Sequence, residues 1–158
     1  MMLLAAAICS TVIGCPKELR SHIRNREAFQ TFAAKDKNWN ELLTRVGSGE
    51  PAWIDAEQYL VRFSDGALRN ELSATLGTAV TRQPVEMLKR ISNGRFGPDG
   101  SALCGNIGEP ASLKIDLGLL RRRAQAVRAV RQRTLQDAKT LCLREIQNAV
   151  TATKRHFK

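Results

Sequence analysis

Apolar residues that return at helical spacing are the feature that most constrains how this chain folds. The clearest series recurs every four positions and marks one buried stripe of a helix: Leu68, Leu72, Leu76 and Val80. No convincing run of alternating β-branched residues is present, so we expect strands to be minor or absent. The sequence therefore predicts an all-α domain over residues 15–158, built from short antiparallel helix pairs stacked like solenoid units and followed by a long basic helical segment.

Five short helices are predicted before residue 93. They span residues 17–32, 39–46, 51–63, 67–80 and 84–92. The second is expected to begin after Asn38, whose side chain can accept from a free backbone amide, with Glu41 completing a capping box. Pro51 and Pro84 stand where a proline in the first helical turn is tolerated, and glycine-containing turns end the second, third and fifth of these helices.

Residues 93–112 form a long connection with five glycines and two prolines. A connection of this length without secondary structure is usually functional or mobile in a compact domain. Its glycines do not match a phosphate-binding loop, because neither a GxxxxGK[ST] pattern nor a preceding strand is present. We expect it to act as a cover that Cys104 fixes to the last helix, or as a loop that contacts a ligand.

The positive charge of the chain is concentrated at its carboxyl-terminal end. Of 25 Lys and Arg and 15 Asp and Glu, residues 113–158 hold 12 and 3, a net charge of +9, and residues 1–112 hold 13 and 12, a net charge of +1. Leu113 to about Thr153 is expected to be helical. Because Arg131 would point into its apolar side, we expect a break near Arg131–Arg133, with Thr134 capping the next helix and Asp137 at N3. The alternative is a continuous helix in which the Arg131 head reaches the edge.

The basic residues on the solvent side of this segment are the candidate contact surface. We expect four of them to bind an acidic protein or an anionic lipid or glycan of the envelope: Arg121, Arg122, Arg128 and Arg133. The alternative is an ordinary solvated helix face. Nucleic acid is disfavoured as a partner, because aromatic residues make up only 5% of the chain and no nucleic-acid-binding motif is present.

The amino terminus has the features of an export signal. Residues 1–14 carry no charge and form an apolar stretch too short to span a bilayer. Val12–Cys15 fits the pattern of bacterial lipoprotein precursors, in which the cysteine receives lipid and becomes the first mature residue. We therefore expect residues 1–14 to be a signal peptide or lipoprotein leader, with membrane association through lipid on Cys15. The alternatives are simple cleavage near Gly14, a retained anchor, and a buried helix of a cytosolic protein.

Cysteine usage agrees with export. If Cys9 leaves with the leader and Cys15 carries lipid, the folded part keeps one pair, Cys104 and Cys142. In an oxidising compartment we expect this pair to form a disulfide, and two buried thiols are the alternative. The predicted location is therefore the periplasm or, with a lipid anchor, the outer membrane.

No residue stands out as catalytic. The chain has two His and no HExxH or CxxC pattern, so we expect neither a metal site nor a cofactor. Glycoside cleavage needs two carboxylates across a cleft, and four acidic residues bracket the helix that holds Trp53: Glu50, Asp55, Glu57 and Asp65. Trp39, Trp53 and Tyr59 are expected to be core residues, with a sugar-binding groove as the alternative.

Several short segments occur in a characteristic order: residues 38–43 (NWNELL), 51–53 (PAW), 64–67 (SDGA), 83–89 (QPVEMLK), then Cys104 and Cys142. In this order and spacing the chain resembles a loose group of small exported helical proteins of bacteria, over residues 38–146. The resemblance implies a helical fold and a Cys104–Cys142 bridge, and it carries over no catalytic residue. The arginine-rich stretch from Arg121 to Arg133 departs from the group.

Taken together, these features favour a non-enzymatic binding or structural protein of the bacterial envelope that uses its basic carboxyl-terminal helix as contact surface. The alternatives are a small envelope hydrolase that uses carboxylates, and an inhibitor or immunity protein against a secreted toxin. The sequence leaves the oligomeric state open.

Overall fold

The structure, a computed structural model, describes residues 9–158. Within this range 75% of the structure is helical and no strand forms, apart from an isolated bridge between Ser10 and Gly14. The predicted all-α class is confirmed. The α-helices are α1 (Pro16–His22), α2 (Arg26–Ala33), α3 (Asp36–Gly47), α4 (Pro51–Leu60), α5 (Gly66–Arg82), α6 (Pro84–Ser92), α7 (Leu113–Ala129) and α8 (Gln136–His156). Three 3₁₀ turns cover Val61–Phe63, Gly100–Cys104 and Arg133–Leu135.

The first part of the chain forms two helices where the sequence pattern predicted one over residues 17–32. The backbone becomes extended at Ile23, which ends α1. Asn25 then starts α2, since its side chain accepts a hydrogen bond from the Ala28 amide at 2.8 Å. The prediction of a single helix was wrong because a capping residue inside the segment was overlooked.

Helix α3 begins earlier than predicted. It starts at Asp36, after Lys35, so Asn38 lies inside the helix and does not cap it. Glu41 forms no capping box and instead accepts a hydrogen bond from Arg45 Nε at 2.7 Å, one turn later. By contrast, Pro51 occupies the first turn of α4 as expected.

Helix α6 has the predicted bounds, Pro84–Ser92, and α5 runs one residue earlier and two residues later than predicted. The carboxyl-terminal segment breaks as expected, since α7 ends at Ala129 and α8 starts at Gln136. Lys139 stabilises the break, because its ammonium donates to the backbone oxygens of Arg128 and Val130 at 2.8 and 2.7 Å. The predicted cap is wrong: the helical turn starts before Thr134, whose side chain caps neither element.

The helices enclose one continuous hydrophobic core. Helix α7 packs along α8, α5 packs against both α3 and α7, α6 contacts α8, and α1 lies on α4. Trp53 of α4, Leu72 of α5 and Leu120 of α7 are fully buried where these helices meet. The long carboxyl-terminal pair therefore belongs to the same packed domain as the short helices.

Two disulfides are present in the described residues, where the sequence predicted one. The expected Cys104–Cys142 bridge is confirmed and joins the 93–112 connection to α8. A second bridge joins Cys9 to Cys15, the two cysteines that the sequence assigned to a leader and to lipid attachment.

The predicted leader lies partly outside the described residues, because these begin at Cys9. Of the remainder, Ile13 is buried and belongs to the core. A Cys15 Sγ that is bonded to Cys9 has no valence left for lipid. Lipidation of Cys15 and cleavage before it remain predictions, and each excludes the second bridge.

The 93–112 connection is fixed from inside the protein by a buried arginine. Arg123 of α7 is fully buried, and its Nη1 donates to the backbone oxygens of Cys104 and Asn106 at 2.7 and 2.8 Å. Gly77 of α5 makes room for this contact, because a Cβ there would lie 2.6 Å from the Asn106 carbonyl oxygen. The connection is therefore a fixed cover, which is one of the two roles expected from the sequence.

Removing the Cys104–Cys142 bridge tests how much the cover contributes to stability. The bridge spans 38 residues, so Cys104→Ala with Cys142→Ala should lower the free energy of unfolding by about 3 to 4 kcal/mol on the chain-entropy model. Urea unfolding measures the change. Cys9→Ala with Cys15→Ala is the control, since that bridge spans only 6 residues and its removal should lower the free energy of unfolding less. A larger loss for the control would contradict the larger contribution expected of the Cys104–Cys142 bridge.

Two helical glycines should respond in opposite ways to alanine. In Gly77→Ala the new methyl meets the Asn106 backbone oxygen, so the protein should be destabilised. In Gly118→Ala of α7 the nearest atom is Arg122 Nη1 at 3.6 Å, so the helix should gain about 0.5 to 1 kcal/mol from the better helix former. Thermal unfolding of both variants checks this, and a stabilised Gly77→Ala protein would show that the cover is not held against α5.

Candidate functional site

The four arginines singled out from the sequence all lie on the surface. Arg121, Arg122 and Arg128 project from α7, and Arg133 lies in the 3₁₀ turn that precedes α8. Each is exposed, and none forms a side-chain ion pair with a residue of the described range. Their charges are thus available to a partner.

A groove between α7 and α8 brings two of these four arginines together. We call it the basic groove; its volume is about 210 Å³. Its lining combines apolar residues with a few long polar side chains: Leu117, Leu120, Arg121, Ala124, Arg128, Leu143, Ile146, Gln147, Val150 and Lys154. Arg122 and Arg133 are not part of this lining.

The geometry of the helices explains the grouping. Arg121 and Arg128 are seven residues apart, which places them on the same side of α7 and about 10.5 Å apart along its axis. Lys154 comes from the facing helix α8. Arg122 points roughly 100° away from Arg121 on the helix, and Arg133 lies beyond the end of α7.

The acidic residues of the carboxyl-terminal segment do not neutralise the groove. Asp116 is buried and accepts hydrogen bonds from the Ala111 amide, Glu145 pairs with Arg144, and Asp137 lies in the first turn of α8, outside the lining of the groove. None of the residues that line the groove is acidic. An apolar floor between three unpaired cations can bind a ligand that presents both apolar and anionic groups.

A second cavity lies on another part of the molecule and has a volume of about 420 Å³. We call it the Glu57 cavity, because the side chain of Glu57 in α4 is almost fully buried, 2% exposed, and faces it. Ser73 of α5 and Phe96, Asp99 and Asn106 of the 93–112 connection complete much of its wall. The connection is therefore both a fixed cover and the wall of a cavity.

Glu57 differs from the other buried charged groups in having no partner. Its carboxyl group forms no ion pair within the described range, and burial, with no hydrogen-bond partner beside it, raises its pKa to about 8. Arg90, in contrast, is held by Asp55 and Glu86 at 2.6 and 2.7 Å. Burial alone would lower the Arg90 pKa, but these two carboxylates raise it.

The four carboxylates considered for hydrolysis are not gathered in one cleft. Asp55 pairs with Arg90, Asp65 pairs with Arg26, and Glu50 immediately precedes α4. Of the four, Glu57 alone lines the second cavity. The arrangement that the hydrolase alternative requires from this set is absent from the described residues.

Trp39 and Trp53 are core residues, as expected, whereas Tyr59 is not fully buried. Trp53 is fully buried. Trp39 donates from Nε1 to Glu71 at 2.6 Å and packs edge-on against Phe29. Tyr59 is half-buried beneath the guanidinium groups of Arg20 and Arg62. The three rings do not share a cavity, since neither tryptophan lines the cavity beside α1 to which Tyr59 contributes.

Sequence reasoning missed the two charged residues with the most unusual surroundings, Arg123 and Glu57. Spacing offers a signal for both. Arg123 follows Leu120 by three positions and precedes Val127 by four, and Glu57 follows Trp53 by four and precedes Leu60 by three. Both therefore lie on the buried stripe of their helices, where a charge needs its own explanation.

Comparisons with protein-family models, curated proteins and solved structures found no match to this chain. Among residues 9–158, no cluster of three or more His, Cys, Asp or Glu side chains is arranged to hold a metal ion. No helix in the same range has the length and apolar character that crossing a membrane requires.

The raised pKa of Glu57 predicts a pH-dependent stability. The folded-state pKa, about 8, lies above the ordinary value of 4.5, so this group stabilises the fold fully below about pH 4.5 and the contribution is lost as pH rises through about 8. Glu57→Gln removes the titration. The free energy of unfolding of the variant, relative to that of wild type, should therefore increase when the pH is raised from about 5 to about 9.

Urea unfolding at both pH values measures this difference. Glu27→Gln is a matched control, because Glu27 is exposed on α2. Its stability should follow that of wild type across the range. A Glu57→Gln protein whose stability also ran parallel to wild type would show that Glu57 is ionised in the folded state.

Proposed function

We propose that this protein is an exported, non-enzymatic binding protein of the bacterial envelope, and that its basic groove binds an acidic segment of a partner protein. The observation that carries the proposal is the convergence of Arg121, Arg128 and Lys154 on one apolar floor without an acidic residue in the lining. Unpaired guanidinium groups bind carboxylates through paired, charge-assisted hydrogen bonds.

The size of the groove favours a protein partner over a small molecule. Its volume of about 210 Å³ lies below the range of roughly 300 to 1,000 Å³ that is typical of small-molecule sites. A shallow trough between two helices instead suits the apolar face of a partner helix. The two-turn spacing of Arg121 and Arg128 matches glutamates seven residues apart on such a helix.

Disulfide bonding supports the exported location. The Cys104–Cys142 bridge is compatible with removal of a leader, and such bridges persist in oxidising compartments rather than in the cytosol. With the predicted leader, this favours the periplasm, or the outer membrane where Cys15 carries lipid.

If the groove is the binding site, the effect of removing an arginine depends on whether that arginine lines the groove. The net charge of the segment alone predicts no such difference. Arg121→Gln with Arg128→Gln removes two charges from the groove, and Arg122→Gln with Arg133→Gln removes two charges outside it. We expect the first pair to weaken binding of an acidic amphipathic peptide, with glutamates seven positions apart beside a leucine face, by tenfold or more, since each lost charged hydrogen bond costs roughly 1.5 to 3 kcal/mol. The second pair should weaken it by about threefold or less.

Fluorescence anisotropy of the labelled peptide, repeated at rising ionic strength, gives both affinities. The wild-type affinity should fall with salt, and the groove pair should show the smaller salt dependence. Equal losses for the two pairs would indicate a diffuse basic surface and reject the groove. Binding to phosphatidylglycerol vesicles without binding to the peptide would replace the acidic protein by an anionic lipid surface.

A further inference from the structure

The Glu57 cavity is not used by the basic groove and has the properties of a second, separate site. Its volume of about 420 Å³ lies inside the range of small-molecule pockets. Helices α4 and α5 form one side, and the 93–112 connection, held by the Cys104–Cys142 bridge and Arg123, forms the other. The walls are therefore largely fixed before any ligand arrives.

Two of the uncharged polar side chains along the cavity, Gln58 and Asn106, already have hydrogen-bond partners within the protein. Gln58 donates from Nε2 to the Arg95 backbone oxygen at 2.7 Å and accepts from Arg90 at 3.3 Å. Asn106 accepts from the Gly108 amide through Oδ1 at 2.9 Å. No hydrogen-bond or charge partner among the described residues acts on the carboxyl group of Glu57, although its residue is only 2% exposed. A buried polar group without a partner is costly, and here it faces an open volume.

The charges around Glu57 favour a positively charged ligand. Arg95 and Asp99 of the 93–112 connection face the cavity and are exposed, and their opposite charges offset each other. Helix α5 contributes uncharged side chains such as Ser73 and Leu76. An ionised Glu57 therefore gives the lining a net charge of −1.

Two arginines on other neighbours of α4 already have partners: Arg90 of α6 pairs with Asp55 and Glu86, and Arg62 lies over the Tyr59 ring. Lys17 and Arg20 of α1 line a different cavity, together with Asp55. In α3, Arg45 is paired with Glu41.

We propose that the Glu57 cavity binds a small organic cation, whose guanidinium or ammonium group inserts beside the Glu57 carboxylate and whose apolar part packs against Phe96 and Leu103. An inorganic cation fits less well, because it needs several oxygen ligands and the described residues hold no cluster of three such groups. A neutral ligand would leave the carboxyl group without an opposite charge.

Binding of a cation at this site is linked to release of a proton. In the empty cavity burial holds the pKa of Glu57 near 8, so the group is mostly protonated at pH 7. A cation beside it favours the ionised form. As the pH is raised toward the pKa of Glu57, the apparent affinity for a cation that stays charged should therefore increase about tenfold per pH unit. Above that pKa the affinity should level off.

A matched pair of probes tests the proposal on the full chain. n-Butylguanidinium keeps its charge at every pH used, and n-butylurea has nearly the same shape without the charge. Isothermal titration at about pH 6, 7 and 8 should show binding of n-butylguanidinium that strengthens about tenfold from pH 6 to pH 7, with n-butylurea at least tenfold weaker at pH 8.

Variants link the binding to the cavity. Glu57→Gln keeps the shape of the side chain and should lower the affinity for n-butylguanidinium at least tenfold and remove its pH dependence, whereas Glu27→Gln on α2 should behave as wild type. Ala102→Trp fills the cavity from its exposed rim without changing Glu57, and it should also abolish binding. Circular dichroism confirms that each variant is folded, and Ala102→Trp keeps the test decisive if Glu57→Gln does not fold.

Three results would overturn the proposal: no binding of n-butylguanidinium at about pH 8, equal binding of n-butylurea, or unchanged binding after both Glu57→Gln and Ala102→Trp. None of them bears on the basic groove, whose residues do not line this cavity.

Discussion

The contact between the Arg123 guanidinium and the backbone oxygens of Cys104 and Asn106 is the interaction on which the rest of the structure depends. It holds the irregular 93–112 connection against α7 from inside the protein, while the Cys104–Cys142 bridge holds the same connection against α8. The guanidinium is fully buried with its Nε unpartnered within the described residues, and burial lowers its pKa to about 10. A buried cation tolerated without a carboxylate partner indicates that the ordered connection offsets a considerable desolvation cost.

Helix α7 contributes to both proposed sites through opposite faces. Its inner face carries Arg123, which fixes the wall of the Glu57 cavity, and its outer face carries Arg121 and Arg128, which line the basic groove. Three consecutive arginines, at 121, 122 and 123, point in three directions because successive residues turn by about 100° on a helix. The two proposed sites are accordingly separate: α7 lines the basic groove directly, and it supports the Glu57 cavity only through the hold of Arg123 on the 93–112 connection.

The sequence predicted those parts of the fold that local chemistry decides. The bounds of α6 follow from Pro84 at its start and Asn93–Gly94 after its end, and the break after α7 follows from Arg131, which could not remain on an apolar stripe. The Asn38 cap failed because Asp36 already starts α3, and two plausible start signals within three residues leave the choice to tertiary packing. The spacing of Arg123 and Glu57 places both on buried stripes, but the groups that each of them faces depend on the 93–112 connection, whose path no periodicity describes. The Cys9–Cys15 bridge was missed because both cysteines were assigned to an export leader.

The contacts of α8 determine when the protein can complete its core. Helix α8 packs against α6, α7 and the Gly100–Cys104 turn, and the partner of Cys104 is not available until residue 142 has emerged. A chain that is made or translocated from its amino terminus therefore carries an open 93–112 connection and an exposed apolar face on α7 until its last helix arrives. Completion of the core therefore depends on the last helix. A chain interrupted within α8 would lack the helix that completes the core, although the first seven helices were present.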